Sequence, residues 1–115
     1  MSIIIYHNGE CTKSKGALEL LQESGVPYEV RYYLAEPLSR AELDALLAKM
    51  KIPAFDLVRT IEPLYTEEYE GKELTEEEWR NVLVEHPILI QRPVVEKGDI
   101  AFIARPPERV LEIIG

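Results

Sequence analysis

Two hydrophobic periods alternate along the chain. Ile3-Ile4-Ile5-Tyr6-His7 is short, apolar and β-branched, the pattern of a buried strand. From Thr12 the spacing changes: Ala17, Leu18 and Leu21 recur at helical intervals. Ser24-Gly25 ahead of Pro27 then reads as a stop, with Gly25 able to take the left-handed conformation that closes many helices. YEVRYYL at 28–34 reads as a second strand, so the chain opens as β-α-β, a unit whose parallel strands are joined by a right-handed crossover.

Two later helices are predicted by their start signals. Ser39 with Glu42, and Thr75 with Glu78, have the spacing of capping boxes, in which a hydroxyl accepts a backbone N–H three residues on and the glutamate reaches back. Leu38 with Leu43, and Leu74 with Trp79, add a hydrophobic staple to each. Leu43, Leu46, Leu47 and Met50 form one apolar stripe and Trp79, Val82 and Leu83 another, both expected to face a core. Residues 93–104 read as two short strands around Lys97-Gly98-Asp99, a hairpin. Pro106-Pro107 opens a last helix with Val110, Leu111 and Ile114 expected to point inward.

The resulting order is β-α-β, a helical middle from about 39 to 86, then β-β-α. This is the outline of an α/β, thioredoxin-like fold with a helical insertion between its two halves. A chain of 115 residues, 46% apolar, suits a single domain over 1–115. The run Ile3–Ile5 is too short for a signal core or a membrane span, so a cytoplasmic monomer is expected, with no membrane partner.

Charge narrows the partners. The net charge of −8 argues against nucleic acid, which asks for a basic surface. Residues 62–85 carry nine glutamates against Lys72 and Arg80, so seven of the eight net negative charges lie in that block and the rest of the chain is close to neutral. A solvated face explains such a run. The single cysteine, Cys11, excludes an internal disulfide and cysteine-pair metal sites, and His7 and His86 are too far apart to form a ligand motif, so no metal is expected. His86, before Pro87, reads as a helix-end residue.

Cys11 is the chemical question. A lone thiol is ordinarily an inert small apolar residue. At the junction of a strand and a helix start, however, unsatisfied N–H groups and the helix dipole favour thiolate and can hold an incoming oxyanion. Thr12 and Ser14 offer hydrogen bonds there and Lys13 and Lys15 offer positive charge, while the Glu10 carboxylate opposes ionisation.

With these residues in place, the chain resembles the glutaredoxin-linked arsenate reductases and their relatives of unassigned substrate. The likeness rests on IIIYHNGECTKSKGALELL, on LVRTIEPLY (57–65), on EHPILIQRPVV (85–95) and on IARPPERVLEII (103–114). It implies a thioredoxin-like domain with a helical insertion, with Cys11 as the nucleophile and Ser14 and His7 beside it. Arg59, Arg92 and Arg105 are then the arginines that bind the anion, and the proline of Arg92-Pro93 is cis. Guanidinium forks suit a tetrahedral oxyanion, which offers several acceptor oxygens. The implied reaction is reduction of arsenate, or a similar small oxyanion, to arsenite. No cofactor is bound: glutathione serves as co-substrate and glutaredoxin clears the adduct, because no second cysteine exists to resolve it. Gly9, Thr12 and Lys15 depart from the best-known reductases, which have Pro, Gly and Arg at those places and continue past the last helix. The alternatives are a thiol-dependent oxidoreductase with another substrate, or an RNA-polymerase-binding regulator of the same fold. The regulators' disulfide switch is excluded here because Ser14 stands where their second cysteine would be.

Overall fold

The computed structural model describes residues 2–8 and 12–114. In chain order it contains β1 (Ile3–Tyr6), α1 (Thr12–Ser24), β2 (Tyr28–Arg31), α2 (Arg40–Met50), a 3-10 turn at Ala54–Leu57, α3 (Pro63–Glu68) and α4 (Glu76–Glu85). A second 3-10 turn at Pro87–Leu89 leads to β3 (Val94–Lys97) and β4 (Ile100–Ile103), and a third at Pro107–Val110 runs into α5 (Leu111–Ile114). The chain divides into two compact units, residues 1–36 with 92–115, and residues 37–91.

The first unit holds one four-stranded sheet in the order β2-β1-β3-β4. β1 pairs with β2 in parallel, while β3 runs antiparallel to both β1 and β4. Side chains alternate across a strand, so Ile3 and Ile5 share the face on which Ala17 and Leu21 of α1, Val95, Ala104, Val110 and Ile113 complete a buried core. This is the mixed α/β, thioredoxin-like arrangement the pattern predicts. Helix α1 ends at Ser24, and Gly25 has φ of 75°, the left-handed stop read from its position.

Two expectations shift. The second strand stops at Arg31 rather than 34, because the N–H groups of Ala35 and Glu36 both turn back to the Tyr32 carbonyl; Tyr33 is buried from a turn, not from a strand. In the last helix Val110 is buried as expected, but Leu111 is 50% exposed and Ile113 takes the inward place. The cause is the 3-10 opening at Pro107–Val110: three residues per turn put the next core position at i+3.

In the second unit both capping boxes are complete, Ser39 with Glu42 and Thr75 with Glu78. Leu43, Leu46 and Leu47 of α2 and Trp79, Val82 and Leu83 of α4 are buried, and the two helices pack together. Asp44 accepts from Arg40 Nε and Arg80 Nη1, each at 2.9 Å, and Arg80 Nε donates to Glu76 at 2.7 Å. The Glu76 carboxylate also accepts the Ala54 N–H with both oxygens, tying the 3-10 turn to α4. Part of the acidic block is therefore structural. No helix among the described residues is long and apolar enough to cross a membrane.

Candidate active site

The strand register brings distant residues of the first unit to one end of the sheet. Tyr6, the last residue of β1, pairs with Val94 at the start of β3, and Val94 pairs with Ile103 at the end of β4. The segments just after β1, before β3 and after β4, carrying His7, Arg92 and Arg105, therefore share that end. Helix α1 begins at Thr12, the residue that follows Cys11 in sequence.

Ser14 fastens that helix to the strand end. Its side chain is fully buried; Oγ accepts the Asn8 backbone N–H at 3.1 Å and lies 2.7 Å from His7 Nδ1. The His7 N–H in turn donates to the Arg31 carbonyl at 2.9 Å, carrying the β1–β2 pairing one residue beyond the strand. If the imidazole hydrogen is on Nε2, Ser14 gives its only proton to Nδ1; if on Nδ1, Ser14 accepts twice and keeps its proton for a third group. In the first case the bond to His7 takes the proton that Ser14 could otherwise donate to sulfur or substrate; in the second that proton remains available.

His7 is 5% exposed, and the Tyr32 ring meets it edge-on at 5.7 Å. Burial pushes its pKa below 6.5, Lys15 pushes it further down, and hydrogen bonding to Ser14 opposes them. The imidazole is thus held neutral at neutral pH, able to accept or relay a proton.

In the segments before β3 and after β4, the Arg92-Pro93 and Arg105-Pro106 bonds are both cis. Arg105 Nε donates to the Arg92 carbonyl at 2.8 Å and the Ala104 N–H to the Pro93 carbonyl at 2.8 Å, so the two arginine segments are joined directly. Arg92 is 7% exposed.

Arg59 belongs to the second unit. It follows Val58, which bridges to Ile90, and its N–H donates to the Leu89 carbonyl at 2.6 Å. Its side chain is 17% exposed, and Nε stands 3.6 Å from a Glu62 carboxylate oxygen. Nε and Nη1 are buried and have no hydrogen-bond partner among the described residues. Such donors suit an acceptor brought by a ligand.

Of the residues singled out from sequence, the structure brings together His7 and Ser14, and Arg92 and Arg105. Cys11, with Gly9 and Glu10 and the side chains of Thr12 and Lys13, lies outside the described residues. Sequence reasoning passed over the Asn8 backbone and Glu62. Glu62 had a visible signal, an acidic residue three places after Arg59 and directly before Pro63, which is the spacing of an opposite-charge pair across one turn. Among the described residues no cluster of three or more histidine, cysteine or acidic side chains could hold a metal ion.

Comparison with known proteins agrees along nearly the whole length. A family profile described as the ArsC family matches residues 6–113. The arsenate reductase of Haemophilus influenzae is 40% identical over 116 residues, covering 99% of this chain and 100% of its own. The uncharacterized protein YfgD of Escherichia coli K12 is 43% identical over 113 residues, 96% of this chain and 95% of its own. Among solved structures, the arsenate reductase from Vibrio cholerae superposes with a TM-score of 0.92 at 38% identity, covering 98% of each chain.

Proposed function

This chain belongs to the ArsC family, and from that premise we propose that it reduces arsenate to arsenite, with Cys11 as nucleophile and glutathione and glutaredoxin as the thiol reductants. What supports the reading is one juxtaposition. The helix that starts directly after Cys11 is latched through Ser14 to the same sheet end that carries His7, Arg92 and Arg105.

In this reading the Cys11 thiolate attacks arsenic and a hydroxide leaves as water, forming a sulfur–arsenic bond. Arg92, Arg105 and Arg59 bind the oxyanion and stabilise charge on its oxygens. Neutral His7 takes the thiol proton, directly or through Ser14, and passes it to the departing hydroxide, which leaves as water. The thiolate of glutathione then attacks the Cys11 sulfur. The electron pair of the sulfur–arsenic bond passes to arsenic, which leaves as arsenite, reduced from the pentavalent to the trivalent state, and the two sulfurs are oxidised to a mixed disulfide. A glutaredoxin thiol exchanges with that disulfide and frees Cys11.

The test is turnover of the purified protein with arsenate, glutathione and glutaredoxin, beside Cys11→Ser and Arg92→Ala. Turnover in the parent and its loss in both variants is the expected result. A second reading, the same thiol chemistry on another substrate, is favoured by the departures at Gly9 and Thr12 on either side of the cysteine. An inactive parent whose Cys11 still forms a mixed disulfide with glutathione would select it.

A further inference from the structure

We propose that Arg109 guards the outer edge of the sheet, holding β4 closed against antiparallel pairing with β4 of a second copy of this chain. β4 is the last strand of the sheet, and among the described residues no strand pairs with its other side. With the alanine that follows, it reads Ile100-Ala101-Phe102-Ile103-Ala104, five apolar positions without a charge. Such an edge is a template for another strand.

The hairpin fixes which backbone groups are on offer. Lys97 and Ile100 flank the two-residue turn Gly98-Asp99 and so form a hydrogen-bonded pair, and the bonded pairs then alternate through Val95 with Phe102. The same phase continues past the strands, where the Ala104 N–H reaches the Pro93 carbonyl at 2.8 Å. Ala101 and Ile103 therefore turn their N–H and carbonyl groups outward. Two copies related by a twofold axis at Phe102 satisfy these groups reciprocally, Ala101 of each lying opposite Ile103 of the other, with no charged side chain of the strand set against its like. The edge is self-complementary.

Arg109 opposes that pairing in two ways. From the 3-10 turn at Pro107–Val110 its Nη1 donates to the Ile103 carbonyl at 3.2 Å, and the Arg105 N–H donates to the same oxygen at 3.0 Å, so both lone pairs are taken. An incoming N–H finds no acceptor there. The guanidinium also lies 4.7 Å over the Phe102 ring, at the axis where two such rings would meet, so pairing brings two like charges together. Glu112 of α5 steadies the side chain, its carboxylate 3.3 Å from Arg109 Nε.

The experiment measures the mass of the full chain by sedimentation equilibrium, and the exchange of its amide hydrogens by NMR, in the parent, Arg109→Ala and Arg109→Leu. Leucine keeps Phe102 covered, and it decides the matter if alanine upsets the turn. The parent is expected to stay monomeric, with the Ala101 and Ile103 amides exchanging faster than those of Ile100 and Phe102, which bond to β3. Each variant is expected to dimerise at least about tenfold more tightly than the parent, with the Ala101 and Ile103 amides now protected. Variants as monomeric as the parent would overturn the inference. So would a variant dimer in which those two amides stay open, since that marks association through the uncovered ring and not through the strand. A parent already paired through the same amides would overturn it as well.

Discussion

Replacing Ser14 by alanine is the sharpest structural test of the latch. The change removes one buried oxygen that accepts from the Asn8 N–H at 3.1 Å and meets His7 Nδ1 at 2.7 Å. A buried polar group that loses its partner costs about 1–3 kcal/mol, and two groups are affected here. Alanine returns about 0.5 kcal/mol through its higher helix propensity in α1. The hydrogen bonds outweigh the propensity, and the net loss is about 1.5–5.5 kcal/mol. Urea unfolding reads it as a lower midpoint at unchanged slope. Hydrogen exchange reads it locally as faster exchange of the Asn8 amide. A double-mutant cycle with His7→Ala should return a coupling of about 1 kcal/mol, because the two side chains share the bond. Unfolding of Ser14→Ala within about 0.5 kcal/mol of the parent, with the Asn8 amide still protected, would refute the reasoning and return Ser14 to the role of a free donor at the helix start.

Two further outcomes follow from burial and charge. Since the folded pKa of His7 lies below the unfolded value of 6.5, its neutral form favours folding fully above about pH 6.5. That stability falls as pH drops through the lowered folded value, because the unfolded chain takes up a proton the folded one resists; NMR titration of the His7 ring checks it, and a folded pKa at or above 6.5 would contradict it. At the C-terminal end, Ile113→Ala should cost about 2–4 kcal/mol and Leu111→Ala less than about 1 kcal/mol in thermal or urea unfolding. The reverse ranking would contradict the phase set by the 3-10 turn.

The fold was legible wherever local chemistry and burial agreed. Ser39 and Thr75 announced their helices because a capping box is satisfied within four residues, whatever surrounds it. The hairpin at Lys97-Gly98-Asp99 was legible for the same reason, and Gly98 has φ of 61°. The end of β2 was not legible at Tyr33, because an apolar run has the pattern of a strand whereas a buried side chain can equally well come from a turn. Leu111 misled because sequence alone gives no sign that a helix opened by two prolines begins with three residues per turn. In the site, His7 and Ser14 could be named from the motif but their bond could not, since it joins a strand end to a helix across seven residues. The partnership of Arg92 with Arg105 depends on strand register and is not written in either segment.

The sheet order has a consequence for synthesis. β1 meets β2 as soon as residues up to 31 have left the ribosome, but its other edge waits for Val94–Lys97. At about 5–20 residues per second the intervening stretch takes roughly 3–13 s to make. During that interval the nascent chain carries an open strand edge, a template for wrong pairing. His7 and Ser14 are already present in it, while Arg92 and Arg105 have not yet been translated, so the arginine pair and the closing of that edge arrive together once residues 92–105 have been made.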